Sequence, residues 1–276
     1  MKLSVIINHY RTPEILEVCL KSLEKSLGGA DFDWEIIVTD GATIEKTEDM
    51  LKEKFSEIIF IPFKKNVGFG KLVNAGIKKS RGEFLFIVNA DIIIEDEKAI
   101  PAMMEYLEKN KSVGLLGPKL LNINGIIQRS CFRFYTPLIV LCRRTFLSGL
   151  PQGKKILSHF LMEDVFAKRE ITSPIQVDWL MGSAFMARKS VIDKIGCLDE
   201  NFFMYFEDVD WARRFWENGY KVIYFPAAEM YHYHFQSSKK KGGLADLLFN
   251  KYTRIHLISA WKYFKKYRFK NKKYGR

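Results

Sequence analysis

The run Phe84-Leu85-Phe86-Ile87-Val88-Asn89-Ala90-Asp91 decides the fold. Its apolar part is continuous, as in a strand buried on both faces. It ends in a polar turn that carries a carboxylate. In open α/β sheets, ligands bind in the crevice beyond the carboxyl ends of the strands. Asp91 thus stands where a cation or polar ligand would be met. Taken alone, the run is equally a plain strand followed by an Asp-containing turn, so its neighbours must decide.

Upstream, residues 3–7 read as an apolar strand and Pro13–Leu27 as a helix. Leu16, Leu20, Leu23 and Leu27 recur at helical spacing, and Pro13 sits at the first turn. Strands over 35–38 and 58–61 alternate with helices over 47–55 and 70–79. Downstream, a helix is expected over 100–107 and a strand over 113–116. This alternation implies βαβ units and a mostly parallel sheet. Residues 125–175 read as irregular, and 177–187 as one strand. Lys189–Ile195 reads as a short helix ended by Gly196, 207–218 as a helix stopped by Gly219, and 220–225 as a final strand.

With 276 residues, 47% apolar and 28% charged, the chain is sized for one large domain or two small ones. Cys19, Cys131, Cys142 and Cys197 form no CxxC pair and no paired metal spacing. That suits reduced thiols in a cytosolic compartment. The first apolar run is too short for a signal peptide, and no apolar stretch reaches the ~18–20 residues of a membrane span. Residues 239–276 hold 13 Lys and Arg against one acid, Asp246, and so carry the whole net charge of +12. The rest balances to zero, which argues against a nucleic-acid binder and leaves one basic segment to explain.

Further segments line up with Asn89-Ala90-Asp91. They are Val5-Ile-Ile-Asn-His-Tyr-Arg-Thr-Pro-Glu14, Val38-Thr-Asp-Gly-Ala-Thr43 and Asn66-Val-Gly-Phe-Gly-Lys-Leu-Val-Asn-Ala-Gly76. After them come Asp178-Trp-Leu-Met-Gly-Ser-Ala184, Phe202-Phe-Met-Tyr-Phe-Glu-Asp-Val-Asp210 and Pro226-Ala-Ala-Glu-Met-Tyr-His232. This order and spacing resembles the family 2 glycosyltransferases of GT-A fold, most closely their rhamnosyltransferase-like branch. The resemblance covers residues 3 to about 238. It implies an α/β fold with a Rossmann-like, mostly parallel central sheet and flanking helices. The chain then divides into a catalytic domain, 1–238, and a basic C-terminal extension, 239–276.

The resemblance also assigns roles. Tyr10, Asp40, Asn66, Gly68, Asn74 and Asn89 match the donor-nucleotide site, with Arg214 within reach of the phosphates. Asp40 would accept the ring N–H of uracil or thymine; an Asx-turn role is its bland alternative, as turn and cap roles are for Asn66, Gly68 and Asn74. Asp91 matches the last position of a metal-binding acidic triplet, here with one carboxylate, and His232 completes the metal shell for Mg²⁺ or Mn²⁺. The step to Ser237 favours His232 over His234. Asp208 matches the general base of an inverting transfer, with Glu207 orienting it or binding acceptor. The structural alternative is that these acids answer the dipole of a helix start. Asp178, Trp179 and Gly182 would lie beneath the acceptor, although a core Trp is the plain alternative to a sugar platform.

In the extension, Leu248, Tyr252, Ile255, Ile258 and Trp261 recur at helical spacing among Lys251, Arg254, Lys262, Lys265 and Lys266. A basic amphipathic helix of this kind suits an anionic membrane surface. A packed C-terminal helix is the rival, with nucleic-acid contact behind it. The expectation is an inverting transferase at the cytoplasmic face of the membrane. It would move rhamnose from dTDP-rhamnose, or another sugar from a UDP donor, to a glycan or lipid-linked acceptor. A non-catalytic binding module on the same scaffold is the alternative of a different class. The oligomeric state is not legible.

Overall fold

The computed structural model describes residues 1–167, 171–233 and 250–268. The first half alternates as β1 (Leu3–His9), α1 (Pro13–Leu27), β2 (Trp34–Gly41), α2 (Glu45–Lys54), β3 (Ile59–Phe63), α3 (Phe69–Lys79) and β4 (Phe84–Asn89). Next come β5 (Ile92–Ile93), α4 (Ala99–Lys109), β6 (Val113–Leu121), β7 (Ile127–Gln128) and β8 (Cys131–Phe132). Helices α5 (Pro137–Arg144), α6 (Pro151–Phe160) and α7 (Glu163–Phe166) precede β9 (Ile175–Gln176), β10 (Trp179–Leu180) and β11 (Ala184–Arg188). The chain continues through α8 (Lys189–Ile195), α9 (Glu207–Glu217), β12 (Lys221–His232) and α10 (Lys251–Lys266).

The main sheet runs β3-β2-β1-β4-β11-β6-β12-β5. β1 is parallel to both β2 and β4, β2 is parallel to β3, and β11 is antiparallel to its two neighbours. The chain winds outward from β1 to β3, then returns to β4 on the other side of β1. That reversal makes the β1/β4 edge a topological switch point, where a crevice opens for ligands. The register sets Asn8 opposite Asn89 and His9 opposite Asp40 at this edge.

Successive strand residues enter opposite cores. Val5 and Ile7 join Leu16, Leu20 and Leu23 of α1 and Met103 of α4, whereas Ile6 joins Val73 and Ile77 of α3. Helix α3 lies close to β1: a Cβ on Gly76 would sit 2.3 Å from the Ile6 side chain.

The structure corrects three readings. Residues 125–175 are largely ordered as short helices. Both α5 and α6 begin with proline, and Thr136 caps α5 by accepting from Ile139 N. Residues 177–187 are not one strand: β10 pairs with β8 in a small separate sheet, and β11 joins the main sheet. The last strand runs on to His232. As for the extension, residues 239–249, Leu248 among them, and residues 269–276 lie outside the described residues. Helix α10 is packed on the rest of the fold through Thr253, His256, Ser259, Ala260, Tyr263 and Phe264. The apolar stripe expected to be its working face, Tyr252, Ile258 and Trp261, points outward. Among the described residues, no helix is long and apolar enough to cross a membrane.

Candidate active site

Polar side chains collect where β1, β2 and β4 end. Asn8 Nδ2 donates to Asn89 Oδ1 at 3.3 Å. His9 and Asp40 are fully buried, with Nδ1 2.8 Å from Asp40 Oδ1. The Thr12 N–H donates to His9 Nε2, so that nitrogen is unprotonated and the ring proton must lie on Nδ1, directed at Asp40. The second Asp40 oxygen, Oδ2, is buried without a hydrogen-bond partner. A buried acceptor without a donor is costly unless something supplies one, and a ligand N–H would. Tyr10 stands beside this strand end, 47% exposed, with its ring near Gly41. Arg11 and Ala42, the turn residues after β1 and β2, both hold left-handed backbone. Such strain in non-glycine residues gathers where ligands are gripped.

Asp91 follows β4, and His232 ends β12, which pairs with β5 to bring the two together. Nε2 of His232 lies 3.2 Å from Asp91 Oδ1. The His232 Nδ1 makes a 2.7 Å hydrogen bond with Gln128 Oε1, which fixes the ring with Nε2 toward the carboxylate. Asp91 Oδ1 is itself buried without a hydrogen-bond partner. A carboxylate oxygen and a ring nitrogen at this distance suit a shared cation, and a histidine fixed through its other nitrogen is the usual arrangement for a ligand. Among the described residues, no third His, Cys, Asp or Glu joins them. Diphosphate oxygens and water would complete the shell, as is common for Mg²⁺. His234 and Ser237 lie outside the described residues.

Asp208 is the second residue of α9 and is partly exposed. Its Oδ1 accepts from Val209 N at 2.8 Å and its Oδ2 from Gly182 N at 3.1 Å. Burial raises its pKa above the ordinary carboxylate range. Glu207 is 6% exposed, and burial followed by the Asp208 charge pushes it up further. The two N–H donors favour Asp208 as the ionised member, with Glu207 holding a proton. Tyr205 and Phe206, just before them, both have left-handed backbone, at φ 67° and 69°. Gly182 lies against Asp208: a Cβ there would come 3.6 Å from Asp208 Cβ and 3.2 Å from the Phe69 ring.

Several sequence-assigned residues occupy structural positions. Arg214 donates to the carbonyls of Ile195, Gly196 and Cys197 and to Asp210, so its guanidinium ties α9 to the end of α8 instead of pointing at phosphates. Asn74 is 3% exposed and bridges Leu198 N, Leu198 O and Glu200. Trp179 is 5% exposed, stacked on Phe132 at 4.5 Å, and donates to Arg133 O, so its ring belongs to the core. Asp178 accepts from Phe134 N. Asn66 makes an Asx turn to Gly68 N. Gly68 has φ 91°, and a Cβ there would meet Phe203 O at 2.5 Å. The glycine thus lets the start of α3 press against the loop before Asp208.

A family model described as Glycosyl transferase family 2 matches residues 4–196. The chain belongs to glycosyl transferase family 2. Over 216 residues it is 24% identical to an N-acetylglucosaminyl-diphospho-decaprenol L-rhamnosyltransferase of Mycobacterium tuberculosis, covering 72% of this chain and 66% of that relative. Rhamnosyltransferase WbbL of Escherichia coli K12 is 23% identical over 257 residues, with 88% and 87% covered. The solved structure of GalNAc-T7 with UDP, GalNAc and Mn²⁺ superposes with a TM-score of 0.62 at 16% identity, covering 96% of this chain and 50% of that one. At that identity the likeness shows the fold, GT-A. The chain thus spans just under two thirds of the mycobacterial relative and half of GalNAc-T7.

Three site residues of this family 2 chain escaped the sequence reading. Asn8 and His9 sat inside a quoted motif, and the polar break after Val5-Ile6-Ile7 signals them. Gln128 lay in a stretch that gave no periodicity, and only the fold brings it to His232.

Proposed function

We propose that this chain is an inverting glycosyltransferase. It moves rhamnose from dTDP-rhamnose to a glycan or lipid-linked acceptor in cell-surface polysaccharide synthesis, at the cytoplasmic face of the membrane. The observation that carries the reaction is the Asp208 carboxylate, with a raised proton affinity, held by Val209 N and by Gly182 N, the residue before Ser183, whose carbonyl accepts from Asn89 N at the end of β4. A base with its pKa lifted toward neutrality takes a hydroxyl proton more readily than an ordinary carboxylate. Buried Glu207 keeps its proton and limits water around the base. Asp40, oriented by His9, accepts the N–H of a pyrimidine base, and Tyr10 covers that base. Uracil and thymine present the same edge, so UDP-sugars are the second donor class.

The Asp91 and His232 donor set fits Mg²⁺ or Mn²⁺. When bound, such a cation neutralises charge on the departing diphosphate. Mn²⁺ in GalNAc-T7 and the rhamnosyltransferase names of two relatives support this reading. The test is a thermal-shift panel of nucleotide sugars with and without Mn²⁺ or Mg²⁺, followed by transfer assays with NMR of the new anomeric centre. Stabilisation by dTDP-rhamnose and an inverted product are expected. Binding without turnover on any acceptor would favour the non-catalytic module, and a UDP-sugar preference would move the donor class.

A further inference from the structure

We propose that α5, the Phe146–Gly149 turn after it and α10 form one docking face for an anionic lipid surface, set beside the loop that carries the base. Leu138 and Leu141 on α5, Phe146 after it, and Tyr252, Ile258 and Trp261 on α10 all stand exposed. Phe146, at 77%, is the most exposed large apolar side chain among the described residues. The two helices pack on each other, with Arg144 Nη1 reaching Thr253 Oγ1 at 3.5 Å. Residues 137–160 and 250–268 contain ten Lys and Arg and no Asp or Glu. Arg143, Lys154, Lys155, Lys251, Arg254 and Lys265 are exposed.

Apolar tips among exposed cations match a lipid interface: rings and aliphatic tips enter the acyl boundary while basic heads meet phosphates. A second copy would bring the same positive charge to the same patch and be repelled. The inner side of α10 explains the placement. Ser259 Oγ donates to Met204 O at 2.9 Å, and the His256 ring meets Tyr205 at 5.4 Å and Phe206 at 5.2 Å. One helix therefore touches the loop before Asp208 with one side and offers the lipid face with the other. The consequence for catalysis rests on the lipid-linked acceptor proposed above; docking does not.

The test is co-sedimentation of the full chain with vesicles of phosphatidylglycerol and phosphatidylcholine, or of phosphatidylcholine alone. Binding to the anionic vesicles that weakens with added salt is expected. The double variants Leu141→Ser with Phe146→Ser, and Ile258→Ser with Trp261→Ser, should each lower it roughly tenfold or more without shifting the melting midpoint. Both leave every charge of the C-terminal segment in place. Undiminished binding of both variants, equal binding to the two vesicle types, or no binding at all overturns the proposal. So does a dimer that the variants dissociate while vesicle binding is unchanged. Transfer to a water-soluble acceptor should be normal in both variants. If the unaltered chain docks but transfers nothing, the functional reading fails and the docking face stands.

Discussion

At the residue scale, the pair Glu207 and Asp208 sets stability against activity. A raised pKa means that the folded state resists ionising Asp208, so this carboxylate lowers stability as pH rises from the ordinary Asp value toward the folded one of about 6. Asp208→Asn keeps the size and the Val209 contact but removes the charge. It should lower the transfer rate by ~10²–10⁴-fold and raise the melting midpoint near neutral pH. A variant with near-normal kcat would move the base to Glu207. The same titration predicts that kcat falls as pH drops through about 6, and that Glu207→Gln, which replaces a group that is already neutral, leaves this fall where it is. A pH–rate profile of both proteins checks it. Asp91→Asn should abolish the effect of Mn²⁺ on donor binding, measured by calorimetry; retention of that effect would remove Asp91 from the cation site.

At the element scale, α10 is held by a buried histidine. Burial first, then Arg144 and Arg143, push His256 down to about 3. Folded His256 is neutral where an unfolded histidine, with pKa near 6.5, has begun to protonate. Stability is therefore lost as pH falls below about 6.5, by roughly 1.4 kcal/mol per unit at most, and the loss continues toward the folded value. Chemical unfolding at pH 7 and pH 5.5 should show the difference, and His256→Gln should flatten it. An unchanged slope in the variant would place the pH sensitivity elsewhere. The glycine at the start of α3 is a second test at this scale. Gly68→Ala would add strain at φ 91° and a clash with Phe203 O, enough to displace the loop before Asp208, so kcat should fall more than donor affinity.

At the scale of the whole molecule, the parallel half was legible because each strand and helix carries its own period. Phe84–Asn89 and Pro13–Leu27 show their burial in local spacing alone. The placement of the candidate carboxylates was legible, with Asp40 and Asp91 at strand ends and Asp208 in the first turn of a helix, because each follows a locally periodic segment. The site was not legible where a side chain's partner is distant in sequence. Asn74 bonds Leu198, and Trp179 is claimed by Phe132 and Arg133. The C-terminal segment misled for the same reason. Its apolar stripe is real, but the stripe of Thr253, His256, Ala260 and Tyr263 beside it is the one that docks. Lys266 pairs with Asp199 and Asp210, and Tyr267 donates to Asp210 at 2.9 Å. Removing residues 250–276 would uncover Phe206 and Tyr135 and leave buried Asp210 with fewer partners. An unpartnered buried charge costs about 3–5 kcal/mol, and Arg214 would remain to offset part of it. The truncated chain should therefore melt well below the full one and bind donor weakly. If it instead folds with an unchanged midpoint, α10 is dispensable to the core and acts only through its outer face.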